Sequence, residues 1–475
     1  MTHTHDMTAM RLAAAIRSRE LSPVEVADHY LARIDRLNDQ VGAYIAVTPE
    51  IARAQAREAE KRVLEAADPA ELPPLLGVPV PIKDLNLVQD VPMSFGSRVY
   101  DGFRGFVDDN VVVLLREAGT VLLGKTNTPE FGLPCYTENG VAPAARTPWD
   151  LSRSAGGSSG GAAAAVAAGL APVAQGSDGG GSIRIPSSAC GLFGIKPTRG
   201  RISQGPVVPD LFGLSTSGPI ARTVEDAALL LDVMAVRRPG DLYWAPPAPE
   251  GGFRAHAGRA PGRLRIARSA VPAVPGAEVH PDCLAAYEAA TELLVELGHE
   301  VEELPPVFGP ELVPHFETLW GVMATLTPVD PSQEDRLQPL TRWLRERGHA
   351  TSATQLFLAH AALQGALRDA FPVTDRYDAI LHPTLALPPA PVGWFHDQEP
   401  AENFHRQTLF TPFAAQYNIS GQPAVNVPLH WTGAGLPIGV MLAGRLGGEA
   451  TLIELSAQLE QARPWIDRKP DIWDA

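Results

Sequence analysis

Apolar residues recur every three or four positions over residues 7–67, and then the period changes. "TAMRLAAAIRSRE", "LSPVEVADHYLARIDRLN" and "PEIARAQAREAEKRVLEAA" read as three helices, the second opened by Ser22 as N-cap with Pro23 in its first turn. Beyond them, "LLGVPVPIKDLNLV" and "VVVLLREAGTVLLGKTNTPEFG" place short β-branched runs around a helix that ends at a glycine. That is the alternation of an α/β sheet domain. "SGPIARTVEDAALLLDVMAV" is a further amphipathic helix, "LRIARS" restarts a strand, and "PDCLAAYEAATELLVELGHEVEEL" gives a helix followed by a strand. Residues 236–263, rich in Pro, Gly and Arg, predict a surface connection. Residues 306–372 read as mainly helical, placed to cover a pocket, and the chain from "YDAILHPTLALPPAPVG" onward returns to strand, turn and a final helix. No internal repeat of fixed period interrupts this order. The expectation is one α/β domain over 1–475 with N-terminal helices at 7–67 and a helical insertion at 306–372.

Between residues 155 and 200 glycine, serine and alanine dominate. Ala162 to Ala168 is a strong helix former without charge, which predicts a buried helix between two glycine-rich ends rather than a linker. In "AQGSDGGGSIRIPSSACG" three consecutive glycines, Gly179, Gly180 and Gly181, precede Ser182. Each glycine costs roughly 0.5–1 kcal/mol relative to alanine in regular structure. Two readings account for them: a tight turn, or bare backbone N–H groups converging on a reacting oxygen beside Ser182 as nucleophile.

Composition narrows the chemistry. The formal net charge of −15, with no lysine or arginine run, argues against nonspecific nucleic-acid binding. Only five lysines occur, Lys61, Lys83, Lys125, Lys196 and Lys469, so Lys83 after the apolar run "GVPVPI" draws attention. Three cysteines without CxxC spacing suit a reducing compartment. The N-terminus has no apolar signal-peptide core, and the longest apolar stretch, "GGAAAAVAAGLAPVA", is too short to span a bilayer, so no membrane partner and a cytoplasmic location are expected. No HExxH or Cys/His ligand spacing suggests a metal, and no Walker or GxGxxG pattern suggests a nucleotide, so no cofactor is expected.

"GVPVPIKD", "GKTNTPEFG", "PWDLSRSAGGSSGGAAAAVAAG", "GSDGGGSIRIPSSACGLFGIKPTRGRIS", "GPIARTVEDAALLLDV" and "GLPIGVMLAGR", in this order and spacing, resemble the amidase signature family over most of the chain. The resemblance implies an α/β fold with a large mixed, mostly parallel central sheet covered by helices on both faces. It also implies a triad of Ser182 as nucleophile, Ser158 as a bridging serine after a cis peptide bond, and Lys83. Lysine serves as a base only when neutral, a form that burial among Val78, Val80 and Ile82 favours. Gly179, Gly180, Gly181 and Ser182 would then supply the oxyanion hole, where losing one donor costs ~10²–10³ in turnover.

Asp178 and Arg184 are read as a pair orienting this loop, Ser159 as a supporting hydroxyl, and Tyr136, Phe316 and Trp320 as pocket candidates. "GGSSGG" also satisfies GxSxG around both Ser158 and Ser159, but an α/β-hydrolase would need a later histidine. The three glycines resemble the branch holding 6-aminohexanoate cyclic-dimer hydrolases and aryl-amide or urethane hydrolases. That points to a bulky or linear uncharged small molecule as substrate, a neutral amide or carbamate with hydrophobic acyl or aryl groups, and leaves oligomeric state, a homodimer included, open. Two rival readings are the glutamine-hydrolysing subunit of a tRNA-dependent amidotransferase and a catalytically silent binding protein on the same fold.

Overall fold

The N-terminal helices form where the apolar period places them, at Ala9–Arg17, Pro23–Val41 and Pro49–Glu65. Ser22 caps the second: its Oγ accepts from Val24 N–H at 3.0 Å, while Glu25 accepts from Ser22 N–H at 3.3 Å. This reciprocal pairing satisfies two N–H groups that the helix leaves open. The computed structural model describes residues 3–207 and 212–475.

Eleven strands follow in two sheets among the described residues. β1 (Tyr44–Val47), β2 (Ile82–Lys83) and β3 (Gly124–Thr126) form a small sheet in the order β1-β3-β2. β4 (Val173–Asp178), β5 (Phe193–Lys196), β6 (Thr216–Ala221), β7 (Arg265–Arg268), β8 (Glu300–Glu303), β9 (Ala379–Pro383), β10 (Ala424–Trp431) and β11 (Pro437–Gly444) form the central one, in the order β4-β6-β5-β10-β11-β9-β7-β8. The sheet is mixed, as expected, but five of its seven pairings are antiparallel; only β9-β7 and β7-β8 run parallel. The expected parallel majority fails for a topological reason. β4 and β5 do run parallel, joined across the Arg184–Cys190 helix, but β6 inserts between them in the opposite direction. A strand–helix–strand pattern in sequence does not show which strand later fills the gap it leaves. The β10–β11 hairpin adds a further antiparallel pair.

Helices cover both faces. On β11, Met441 meets Arg184 at the start of the Arg184–Cys190 helix, whereas Gly444 lies against Leu452 of the Glu449–Ala462 helix. These two residues point to opposite faces because side chains alternate along a strand. The alanine-rich segment forms the Gly160–Ala167 helix with every residue buried. Its second glycine is a packing requirement: a Cβ on Gly161 would come within 2.3 Å of Asn127 N and 2.5 Å of Ala43 O. Residues 306–372 hold the helices Val313–Met323, Pro339–Ala350 and Ala353–Thr374, with 3₁₀ turns at Pro310–Leu312 and Pro331–Arg336. Residues 236–263 are irregular apart from a 3₁₀ turn at Arg254–Gly258, and Phe253 anchors them to the core. Among the described residues no helix is long and apolar enough to cross a membrane.

Candidate active site

β2 ends on Lys83, and β4 runs beside it. Alternation along β4 sends Gln175 and Ser177 to one face and Asp178 to the other. The Gln175 side chain accepts the Lys83 backbone N–H at 2.9 Å, and Ser177 Oγ lies 3.0 Å from Lys83 Nζ. Lys83 is fully buried, its Nζ 2.8 Å from Ser158 Oγ and 3.4 Å from the Ser177 carbonyl. Burial pulls its pKa down to about 7, and the nearby Asp178 carboxylate opposes that shift only in part. A lysine with that pKa offers a neutral amine near neutral pH.

The peptide bond between Gly157 and Ser158 is cis. Ser158 and Ser182 line the same cavity, and Ser159 N–H donates to the Ser182 carbonyl at 3.2 Å. Ser159 Oγ turns away from that cavity and stitches the loop to β4, donating to Ser177 O at 3.0 Å and accepting from Ser177 N–H at 3.2 Å.

On the other face of β4, Asp178 and Arg184 form a fully buried bidentate pair with both contacts at 2.9 Å. Burial alone would raise the Asp178 pKa, but the Arg184 guanidinium beside it, with Asn418, holds the carboxyl well below the usual range. The carboxylate also accepts the N–H groups of Gly181 at 2.7 Å and Ile183 at 3.1 Å. Asn418 in turn donates to the Asp178 carboxylate and main chain, each at 2.9 Å. One ion pair thereby fixes the whole turn from β4 to Ser182.

This geometry corrects one expectation. The Gly181 N–H is committed to Asp178 and is not available to a substrate oxygen. Among the described residues, the N–H groups of Gly179, Gly180 and Ser182 hold no hydrogen bond. The three glycines therefore serve different ends. Gly181 has φ +128°, and a Cβ there would meet Ile185 Cδ1 at 2.6 Å and Ala414 Cβ at 2.7 Å, whereas Gly179 and Gly180 have nothing closer than 3.6 Å. Gly181→Ala is expected to destabilise the fold by about 1–3 kcal/mol. Gly179→Ala is expected to leave stability within about 1 kcal/mol of wild type. Thermal unfolding of the two variants side by side checks this.

Two cavities meet at Ser182. A smaller one of about 130 Å³ is lined by Gly180, Phe308, Leu312, Phe316 and Ile419. A larger one of about 620 Å³ is lined by Ser158, Ser177, Gly179 and a run of aromatic rings that includes Phe95, Tyr100 and Phe103. Leu133 and Trp320 line both and stand between them. Phe316 and Trp320 thus sit where the sequence places them, but Tyr136 does not. Tyr136 is fully buried, stacked on Phe395 at 4.6 Å, with its hydroxyl accepting from Asn403 at 2.9 Å. It backs the serine loop from behind, where a Cβ on Gly157 would come within 2.6 Å of its backbone nitrogen. Sequence reasoning also missed Ser177, Gln175 and Asn418. Ser177 and Gln175 were within reach through the two-residue period of β4; Asn418, 240 positions from Asp178, carries no local signal.

The amidase family's sequence profile matches residues 25–453. The chain is 41% identical over 447 residues to a putative amidase, AmiB2, of Mycobacterium tuberculosis, covering 93% of each chain. It is 35% identical over 480 residues to an acylamidase of Rhodococcus erythropolis, covering 98% of this chain and 97% of the relative. Among solved structures, 6-aminohexanoate cyclic dimer hydrolase complexed with substrate superposes with a TM-score of 0.91 at 32% identity, covering 99% of both chains. The chain belongs to the amidase family and is a hydrolase of amide carbon–nitrogen bonds.

Proposed function

We propose a cofactor-independent hydrolase of neutral amides and carbamates that works through an acyl-enzyme on Ser182. The observation that carries this reading is the buried amine of Lys83, 2.8 Å from Ser158 Oγ and depressed to a pKa of about 7. A hydroxyl is a poor nucleophile until a base takes its proton. As Ser182 Oγ attacks the carbonyl carbon, its proton passes through Ser158 to the neutral lysine. The open N–H groups of Gly179, Gly180 and Ser182 stabilise the charge that develops on the carbonyl oxygen. The proton then returns through Ser158 to the leaving nitrogen, the C–N bond breaks, and water repeats the sequence in reverse to release the acid.

The acyl relatives include an acylamidase and a hydrolase of a cyclic amide dimer. The cavities at Ser182 are lined mostly by aliphatic and aromatic side chains. Such walls suit uncharged substrates and penalise the charged α-amino acid head of glutamine, which weighs against the amidotransferase reading. Among the described residues no three His, Cys, Asp or Glu side chains converge so as to hold a metal ion.

A panel of anilides, aliphatic amides, carbamates, lactams and glutamine, assayed by product mass after dialysis against a strong chelator, tests the proposal. Turnover of anilides or carbamates at the undialysed rate is expected. Efficient glutamine hydrolysis with the others untouched would overturn the substrate class, and a loss of rate restored by one metal would overturn the cofactor-free mechanism.

A further inference from the structure

The two cavities at Ser182 differ in size, in lining and, above all, in which of them reaches the proton carrier. Ser158 and Ser177 line the larger cavity and not the smaller; Gly180, one of the open N–H donors, lines the smaller and not the larger. We propose that the cavities divide the substrate at its scissile bond. The amine part occupies the larger, aromatic cavity and the acyl part the smaller, which makes the preferred substrates short acyl or alkoxycarbonyl groups carried on bulky aryl amines. The proposal rests on the Ser182–Ser158–Lys83 mechanism given above.

The argument is one of proton delivery. In acylation the Ser182 Oγ–C bond forms and the C–N bond breaks, and the proton taken from Ser182 must end on the departing nitrogen. Its last carrier is Ser158, so that nitrogen has to come within hydrogen-bonding reach of Ser158 Oγ, about 2.6–3.2 Å. Ser158 opens on the aromatic cavity, so the amine and everything attached to it extend there. The acyl substituent, on the far side of the carbonyl carbon, is left with the space beside Gly180. When the amine departs, water enters the cavity it vacated, gives one proton to the same relay, and its oxygen bonds to the acyl carbon as the Ser182–acyl bond breaks.

The lining fits an aryl group. Phe95 and Tyr100 lie edge to face at 4.9 Å between centroids, and Tyr100 and Phe103 at 5.5 Å, the geometry that ring quadrupoles favour and that a substrate ring extends. Two rings of this cavity, Phe95 and Phe131, are held at a backbone cost. Phe95 has φ +52° and Phe131 φ +55°, and Phe131 N–H donates to the Phe95 carbonyl at 2.8 Å. Side-chain-bearing residues seldom adopt such angles, which persist only where the surrounding structure holds them. Here the paired backbones turn both rings into the larger cavity. The smaller cavity, about 130 Å³ against about 620 Å³, offers the acyl part less space than the amine part has.

Two substrate series separate the halves: acetyl amides of methylamine, aniline and naphthylamine, and anilides of acetic, hexanoic and decanoic acid. For wild type, kcat/KM is expected to rise along the amine series and fall along the acyl series. Phe103→Ala should lower the preference for naphthylamine over methylamine by about tenfold and leave the ratios among acyl groups unchanged. Leu312→Trp should steepen the acyl series and leave the amine ratios unchanged. Ratios within one variant cancel any loss of folded protein, and Phe106→Ala, the exposed ring edge to face with Phe103, probes the same aromatic wall if Phe103→Ala does not fold. An exchange of the two effects, or flat ratios in every variant, overturns the division while hydrolysis through Ser182 stands. No turnover in either series and no acylated Ser182 by intact mass would instead remove the mechanism on which the division rests.

Discussion

A fluorophosphonate probe is expected to label Ser182 and nothing else, and Ser182→Ala should abolish the label and lower turnover by about 10⁴–10⁶-fold in a folded protein. The adjacent serines make this a sharp experiment, because Ser158 and Ser159 both occupy a GxSxG pattern. Ser158 Oγ is 2.8 Å from Lys83 Nζ, so Ser158→Ala breaks the proton path without touching Ser182, and slow labelling of Ser182 should persist. Ser159→Ala removes two hydrogen bonds between its hydroxyl and the Ser177 backbone. That loss should cost stability, about 1–2 kcal/mol, more than it costs turnover. Peptide mapping of the labelled protein decides the matter. An adduct on Ser158 or Ser159 would overturn both the nucleophile and the direction of the relay.

How much of this was legible in the sequence depends on the range over which each feature is set. The N-terminal helices follow from local periodicity and the Ser22–Pro23 start, and they form as read. The balance of strand directions does not follow from local pattern, because β6 joins between β4 and β5 only after the chain has passed both. Lys83, Ser158 and Ser182 were legible as candidates only through the resemblance of their motifs, taken together, to a known family, because each motif alone is weak. Gly181 was assigned to substrate because a glycine run looks alike along its length. Only the three-dimensional turn shows Asp178 claiming the N–H groups of Gly181 and Ile183 and leaving those of Gly179, Gly180 and Ser182 open. Tyr136 was misplaced because an aromatic residue near a motif has the same appearance in sequence whether it faces a cavity or packs behind it. The aromatic wall went unseen for a related reason: Phe95, Tyr100, Phe103 and Phe131 come from loops around two segments and converge only in the fold.

The rate should also carry the signature of the buried amine. Burial pulls the Lys83 pKa down to about 7, and in the proposed relay only the neutral amine can take up the proton that leaves Ser182. As pH rises through that value the neutral fraction grows, so kcat/KM should climb about tenfold per pH unit well below it and level off about one unit above it. Protonation, not deprotonation, inactivates, which places the limb on the acidic side of the profile. Lys83→Arg replaces the amine by a larger group that stays protonated at every pH the assay reaches, so it should be inactive across the whole range. Lys83→Ala should lose about 10²–10⁴-fold while remaining folded.

Lys196 is the control, because burial also brings it to about 7. Its Nζ donates to the Pro197 carbonyl at 2.9 Å and it lines neither cavity at Ser182, so Lys196→Met should keep the limb where it is. If the limb vanished with Lys196→Met and persisted in a folded, active Lys83→Ala protein, the base would have to be reassigned. If instead the limb follows Lys83 alone, the acidic edge of the profile reports the cost of holding a charged amine in a fully buried site.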